Sequence, residues 1–226
     1  MAAHYWNGCV MVQAPGGPTR ELIEALRGAT GRSVGAILGP YEQVVRARVL
    51  LGMEEAPCAR ASKEYLYARS LEEVEEHGLL ARPGVVARRA REEDLEVLAA
   101  WRAAYMVEAL WMDPSEVDEE EARAGMARSV EQRRGWVLER DGVLVAYTGN
   151  NAEIEDTHQL GGVWTPPEHR GRGYAKAVIS RQLLDMRAEG KVRAILFTDE
   201  ENVPAQRAYE GIGFERIGEY GMFVGF

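Results

Sequence analysis

Residues 169–178 read HRGRGYAKAV, which places two glycines directly before a helical pattern. Glycine inside a helix costs about 1 kcal/mol relative to alanine, so two glycines at a helix start need a physical reason. The first turn of a helix exposes backbone N–H groups without intrahelical partners and carries partial positive charge. Gly171 and Gly173 therefore predict a stretch of backbone that an anion, most often a phosphate group, can approach closely.

Three nucleotide-binding motifs compete for this loop. A Walker A loop requires the pattern GxxxxGK[ST], which occurs nowhere in the chain. A dinucleotide fingerprint requires GxGxxG directly after a strand, but Lys176 stands where the third glycine belongs, and the residues PPEH separate the loop from the strand. A third motif fits the loop better than these two. The structural alternative is a glycine-rich loop that binds no ligand.

The chain from Val85 onward divides into strands and helices by its hydrophobic periodicity. The predicted strands cover 85–90, two segments of 135–150 joined by a tight turn at Asp141-Gly142, 157–165, 191–198 and two closing segments within 214–226. The predicted helices cover 91–110, 116–134, 174–189 with Gly190 as the stop, and a short segment from Val203. Apolar residues along one side of the third helix predict that it lies on a sheet.

Residues 1–84 contain a shorter series of the same kind. Its predicted strands are 9–14, 33–40 and 63–69, and its predicted helices are 19–30 and 41–53. The string GRSVGAIL (31–38) resembles EGKVRAIL (189–196), which favours two related half-units, although any strand–helix–strand–helix segment would look similar. We therefore predict a domain boundary between residues 84 and 85, with a first copy that lacks the glycine stretch.

The third motif rests on two segments that resemble signatures of the GNAT superfamily of N-acetyltransferases. VWTPPEHRGRGYA (163–175) is similar to the family's pyrophosphate-binding segment, [QR]xxGx[GA], through Arg170, Gly173 and Ala175. NVPAQRAYEGIGF (202–214) is similar to a second signature through Asn202, Ala205, Tyr209, Gly213 and Phe214. The resemblance implies an α/β fold with a mixed sheet: a catalytic GNAT domain at 85–226 behind a truncated GNAT-like domain at 1–84. This layout is similar to tandem-half members such as mycothiol synthases and glycine N-acyltransferases.

The resemblance also implies the cosubstrate and the residues that bind it. The cosubstrate is acetyl-CoA, whose acetyl group passes directly to a primary amine of a small molecule or amino acid. The residues implied to bind it are Val163, Trp164 and Thr165 along the pantetheine arm, Arg170, Gly171, Arg172, Gly173, Tyr174 and Ala175 at the pyrophosphate, and Asn202. No metal is expected.

Tyr209 is the predicted catalytic residue, since the resemblance implies that it protonates the leaving thiolate. The alternative is a core tyrosine on the helix face that holds Ala205 and Ile212. Asn202 has two compatible roles, a contact to the pantetheine arm and a side-chain cap for the helix that contains Pro204.

The general base is left open by the sequence. Some members of the family use a Glu at the position that Gln159 occupies, and an amide cannot accept the proton. Strand alternation directs His158 to the opposite face, where we expect it to be exposed to solvent. The candidates are Glu153, Glu155 and Asp156, and His169 is expected to lie on the surface.

The resemblance implies that acceptor selectivity comes from the segment between the first two helices of the catalytic domain and from the last strands. That segment contains Trp111, Met112, Asp113, Glu116 and the acidic run 118–121. An acidic rim would favour a cationic amine, whereas a charge run is more often a solvated helix face.

Composition restricts the remaining possibilities. The 226-residue chain has a formal net charge of −9, which argues against a general nucleic-acid binder. Cys9 and Cys58 are too few for a disulfide framework, and a cytoplasmic protein without membrane spans is expected. We expect a monomer or homodimer. Two other functions are left open: a protein acetyltransferase acting on lysine or an N-terminus, and a non-catalytic acyl-CoA sensor.

Overall fold

Six α-helices and ten β-strands form the chain, and the computed structural model describes all of it, from Met1 to Phe226. The elements group into two compact units. The first unit comprises Met1–Tyr67, Phe197–Ala205 and Arg216–Phe226, and the second comprises Ala68–Leu196 and Gln206–Glu215. None of the six helices combines the length and the apolar character needed to cross a membrane.

The first unit contains the early strands and helices together with the last strand of the chain. They are β1 (Ala2–His4), β2 (Cys9–Val12), α1 (Arg20–Thr30), β3 (Ala36–Pro40), α2 (Tyr41–Leu51), β4 (Arg60–Ser70) and β10 (Glu215–Val224). The sheet order is β1-β2-β3-β10, in which only β2 and β3 are parallel neighbours. Its core is built around Val10, Ile37, Val44 and Phe223.

The second unit contains the segments that resemble the GNAT signatures. Its elements are β5 (Val85–Arg89), α3 (Leu95–Leu110), α4 (Glu119–Glu131), β6 (Gly135–Arg140), β7 (Val143–Glu153), β8 (Thr157–Trp164), α5 (Tyr174–Ala188), β9 (Arg193–Asp199) and α6 (Val203–Glu210). The ranges of β4, β9, α6 and β10 each include residues of both units. The strand order β9-β8-β7-β6-β5 is antiparallel except for the β8–β9 pair. The predicted mixed α/β fold is confirmed.

Two local predictions are confirmed in this unit. Asp141 (φ 52°) and Gly142 (φ 79°) both adopt the left-handed conformation that a tight two-residue hairpin turn requires between β6 and β7. The predicted apolar stripe of α5 is buried at Val178, Ile179 and Leu183. Because this stripe lies on β6, β7 and β8, the start of α5 is held at a fixed position beside the sheet.

The end of the chain differs from the prediction of two closing strands, because residues 215–224 form the single strand β10. The glycines within it do not break the strand. Gly221 pairs with Gly39 of β3, and a Cβ atom on Gly221 would lie 3.3 Å from side-chain carbons of Tyr41 and Val44. The glycine therefore permits close packing of α2 on the strand.

The predicted boundary between residues 84 and 85 does not coincide with the edge of the compact units. The segment from Leu71 to Val74 packs on α5, where the Arg187 guanidinium donates to the carbonyls of Leu71 (3.4 Å), Glu72 (3.2 Å) and Val74 (3.0 Å). The second unit accordingly starts at Ala68. Contacts within the folded chain do not show evolutionary descent. The origin of residues 1–84 from a GNAT-like half therefore stays a prediction.

His158 was expected to be exposed to solvent, and this expectation is wrong. The side chain is fully buried, its Nε2 atom lies 2.8 Å from the amide nitrogen of Gln182, and its ring packs edge-on against Trp136. The α5 helix covers this face of β8, which strand alternation alone could not reveal. Burial lowers the pKa of His158 to about 4.

The buried histidine predicts a pH-dependent stability. Above its ordinary pKa of 6.5 the ring is neutral in both states, but on acidification the unfolded chain binds a proton that the folded chain rejects until about pH 4. Between pH 7 and pH 5 we expect wild type to lose about 2 kcal/mol more unfolding free energy than His158→Gln. Urea unfolding of both proteins at the two pH values checks this, and equal losses would contradict the buried neutral ring.

Candidate functional site

Two glycines shape the backbone at the start of α5. Gly171 (φ 73°) and Gly173 (φ 80°) are left-handed, and Gly173 is the capping residue of the helix, with no side chain bonded to the first-turn amides. A Cβ atom on Gly171 would meet no heavy atom within 4 Å, whereas one on Gly173 would lie 3.2 Å from Leu79. The helix therefore presents its N-terminal amides beside open space.

The charges around this helix start favour an anion. Lys176 occupies the first turn, where the helix dipole disfavours a cation, and no acidic residue shares that turn. The nearby His77 ring has a lowered pKa because of burial and, in second place, the charge of Lys176. A bound anion would relieve this local excess of positive charge.

Arg170 and Arg172 bind to the loop itself. Arg170 forms an ion pair with Glu108 (2.8 Å) and donates from Nε to the carbonyl of Thr165 (2.9 Å). Arg172 donates to the carbonyl of Glu168 (3.1 Å). Both guanidinium groups thus fix the loop conformation in addition to supplying charge.

The first helix of the chain lacks all of these features. The Thr19 side chain accepts a hydrogen bond from the Leu22 amide at the start of α1, and Glu21 lies in the first turn. A side-chain cap and a negative charge together satisfy the helix terminus. Residues 1–84 contain no phosphate motif, and the start of α1 is already satisfied by Thr19 and Glu21 without a bound anion.

The strand before the loop diverges from its parallel neighbour. The last residue pair of the β8–β9 ladder is Gln159–Ile195, yet β8 continues to Trp164. Trp164 and Thr165 are near the end of this strand, and each has a polar side-chain atom that is buried without a hydrogen-bond partner, Nε1 and Oγ1 respectively. Val163 and Trp164 thus lie at the diverging end of β8, and Thr165 follows it directly. That these three residues face an extended ligand stays a prediction.

A cavity of about 190 Å³ lies between α3, α4, β7 and β8. Aromatic side chains form much of its wall: Trp101 and Tyr105 from α3, Tyr147 from β7 and Trp164 from β8. Tyr105 and Trp164 meet edge-to-face with ring centroids 6.2 Å apart. The enclosed aromatic wall suits a small organic acceptor.

Apart from Trp164, the residues that line this cavity are not among the predicted site residues. Leu98, Trp101, Arg102 and Tyr105 lie on one face of α3 at spacings of three and four residues. The periodicity was visible in the sequence, but only the position of α4 and β7 shows that this face borders a cavity and not continuous core.

The acidic residues of the predicted acceptor segment do not line the cavity. Asp118 caps α4 by accepting from the Glu121 amide (2.9 Å), and Glu121 forms an ion pair with Arg128 (2.7 Å). Arg102 is the one charged side chain in the cavity wall. Of the two interpretations of the acidic run, the solvated helix face therefore describes Asp118 and Glu121, which serve the helix start and its exposed face.

Tyr209 lies beside the cavity wall. Its side chain is buried, it packs edge-on against Phe214, and burial together with the neighbouring Tyr105 phenol raises its pKa above the usual range. The phenol consequently keeps its proton at neutral and mildly alkaline pH. Tyr105 lines the cavity and is close enough to Tyr209 to raise its pKa, so Tyr209 is a neighbour of the cavity wall.

Asn202 performs the capping role that the sequence predicted. Its Oδ1 atom accepts a hydrogen bond from the Ala205 amide (3.2 Å) at the start of α6. This bond orients the short helix that contains Tyr209. The predicted contact of Asn202 with a ligand stays a prediction.

None of the candidate bases lines the cavity. Glu153 comes nearest, because it accepts from the side-chain amide of Asn150 (3.1 Å), and Asn150 does line it. Asp156 accepts from the Thr157 hydroxyl in the preceding turn. Gln159 pairs with Ala152 in the sheet, and the half-buried His169 packs against Tyr174.

The Acetyltransferase (GNAT) family profile matches residues 95–214, more than half of the chain. The chain therefore belongs to the GNAT acetyltransferase family. The matched range includes the loop before α5, the cavity and Tyr209.

Two curated relatives resemble part of the chain. A mycothiol acetyltransferase of Thermobispora bispora is 34% identical over 87 residues, which cover 36% of this chain and 30% of that protein. A mycothiol acetyltransferase of Thermomonospora curvata is 31% identical over 81 residues, which cover 36% of this chain and 27% of that protein. The chain thus matches less than a third of the length of either relative.

Solved structures resemble nearly the whole chain. A GNAT-family acetyltransferase from Colwellia psychrerythraea superposes with a TM-score of 0.61 at 15% identity, covering 100% of this chain and 80% of that one. A GCN5-related N-acetyltransferase from Kribbella flavida gives 0.61 at 19% identity, covering 96% and 80%. At these identities the likeness concerns the fold.

Proposed function

We propose that this chain is an acetyltransferase that passes the acetyl group of acetyl-CoA to a primary amine of a small molecule. The observation that carries the proposal is the uncapped, left-handed glycine start of α5 in the same compact unit as an aromatic cavity. An anion site and an acceptor-sized cavity are the two parts that such a transfer needs. Family membership supports the choice of cosubstrate.

The residues of the second unit fit an acyl-CoA. The backbone from Arg170 to Ala175 can donate to a pyrophosphate, since the open space at Gly171 lets phosphate oxygens approach. Beyond the end of its ladder with β9, strand β8 can present backbone groups from Val163 to Thr165 to the pantetheine amides. Pro166 has no N–H group, so donation ends at Thr165.

When bound, acetyl-CoA supplies an activated acetyl group as a thioester. The amides at the end of β8 stabilise negative charge at the carbonyl oxygen as the amine attacks. The Tyr209 hydroxyl would give its proton to the sulfur that leaves, since the raised pKa keeps the phenol protonated. The proton that the acetylated nitrogen loses would pass to water, and water would return a proton to the phenolate. The cavity walls hold the acceptor and exclude bulk water.

The cavity favours a small molecule over a protein acceptor. Its walls come from two helices and two strands, and its volume of about 190 Å³ matches a small organic molecule, whereas a protein acceptor would have to insert a single side chain. No carboxylate lines it, so the ammonium proton of the acceptor leaves through water before attack. Transfer to a lysine side chain or a chain N-terminus is the alternative that a substrate screen would detect.

The element order also supports our inference that residues 1–84 are a degenerate half-unit. The series β2-α1-β3-α2-β4 has the same order as β8-α5-β9-α6-β10, and β2–β3 and β8–β9 are both parallel pairs. Helix α1 has 11 residues where α5 has 15, so the first copy is about one turn shorter. Because Thr19 caps the start of α1, only the second copy has a free helix start for the cosubstrate.

Gly171→Ala tests the pyrophosphate site, and Gly190→Ala is its matched control. Both glycines flank α5, both are left-handed, and neither added Cβ would touch the protein. We expect similar destabilisation of about 1–2 kcal/mol in both variants from the strained backbone. Only Gly171→Ala should weaken CoA binding in calorimetry, by about tenfold or more, because its methyl group occupies the path of the phosphate.

An equal loss of CoA affinity in the two glycine variants would contradict the assignment of the loop. Absence of CoA binding to wild type would overturn the proposed function altogether.

Tyr209→Phe separates an enzyme from a sensor. Removal of the hydroxyl should lower kcat by about 100-fold or more, with CoA affinity retained, since general acids contribute on that scale. Tyr220→Phe is the control, because Tyr220 is a partly buried tyrosine of β10 that packs on Phe197 and does not belong to the signature segments. A wild-type protein that binds CoA but releases no thiol with any amine would favour the sensor.

The lack of a carboxylate in the cavity predicts a pH profile set by the acceptor. For two amines of different pKa, kcat/KM should rise with pH and level off at the pKa of each amine. Because the pKa of Tyr209 is raised, no decline is expected below about pH 10. Steady-state thiol release measures both curves, and a shared midpoint for the two amines would indicate a protein base instead.

A further inference from the structure

We propose that the acceptor amine carries a carboxylate, as an amino acid does, and that Arg102 binds this carboxylate in the cavity. The inference rests on the proposed function, since it concerns the second substrate of the same transfer.

Arg102 brings a positive charge that no carboxylate of the chain neutralises. The two other charged residues of α3 that could pair with it are Glu96 and Glu108, and each is held by a different arginine. Glu96 binds Arg123 at 2.8 Å, and Glu108 binds Arg170 at 2.8 Å. The Arg102 guanidinium instead lies over the Tyr105 ring, 5.3 Å from its centroid.

The planar guanidinium matches a carboxylate in shape. Arginine donates two parallel N–H bonds to a carboxylate, which makes such pairs stronger and better oriented than those of lysine. The aromatic side chains around Arg102 keep the local dielectric low, so the attraction is greater there than on the open surface. A polycationic acceptor would meet repulsion from the same group.

Uncharged polar groups in the cavity wall suit the amine end of the acceptor. The Oδ1 atom of Asn150 is buried without a partner and can accept a hydrogen bond from an amine N–H. The hydroxyls of Tyr147 and Ser129 lie 3.1 Å apart and also line the cavity. The wall therefore offers acceptors for an amine and a single cation for a carboxylate.

The test compares acceptors that share a side chain and differ at the carboxylate. Because the carboxamide also lowers the pKa of the α-amine, kcat/KM is expressed per concentration of free amine for both compounds. Each amino acid of a panel is paired with its carboxamide, and both are supplied with acetyl-CoA to wild type, Arg102→Gln and Arg123→Gln. Arg123 is the matched control, because it is an exposed arginine of α4 that binds Glu96 outside the cavity wall. Thiol release gives kcat/KM, and quenching of tryptophan fluorescence gives acceptor affinity, since Trp101 and Trp164 line the cavity.

We expect wild type and Arg123→Gln to prefer the amino acid over its carboxamide by about tenfold or more. Arg102→Gln should lose this preference, because the amino acid alone weakens while the carboxamide keeps its kcat/KM within about threefold. Melting temperatures of the three proteins show whether a loss comes from unfolding.

Two results would overturn the inference while leaving the proposed function intact: equal loss of both acceptors in Arg102→Gln, or a wild type that prefers the carboxamide. If no amine supports thiol release, the proposed function fails on its own. Fluorescence titration still decides the role of Arg102 in that case: binding of the amino acid that depends on Arg102 supports it. Equal binding of the two compounds, or no binding, overturns it.

Discussion

The proposed site depends on the backbone amides at the start of α5, which no side chain caps. A helix begins there without a capping side chain because Gly171 and Gly173 turn the chain through left-handed conformations. The exposed N–H groups, the helix dipole and Lys176 in the first turn add up to a local positive potential in a chain whose formal net charge is −9. That potential makes the start of α5 a favourable place for an anion.

The rest of the second unit serves to hold this helix start beside a cavity. The apolar face of α5 is buried on the sheet, and the Arg187 contacts to residues 71–74 hold the opposite end of the helix. Strand β8 runs from the buried His158 to the loop, so one strand connects the helix face to the aromatic wall. Packing of α3 and α4 over β7 and β8 then encloses a volume that the anion site alone would not define.

Helices α1 and α5 occupy the same strand–helix–strand arrangement, but they differ in the residues at their first turns. Both helices follow a strand and precede a parallel strand. Thr19 and Glu21 satisfy the start of α1, whereas α5 has a glycine cap and a lysine. A half-unit can keep its fold after it has lost the residues that bind a ligand, because strand pairing and helix burial do not require the loop.

The sequence by itself determined the mixed α/β fold, the hairpin at Asp141-Gly142 and the glycine loop, because turn chemistry and periodicity are local properties. Only the tertiary structure decided that His158 is buried and that Arg102 is the cation of the cavity. The exposure of a strand residue depends on which helix covers its face, and the charge of a cavity depends on which neighbours pair with each side chain. Both are set by contacts between residues far apart in the chain, which no local pattern records.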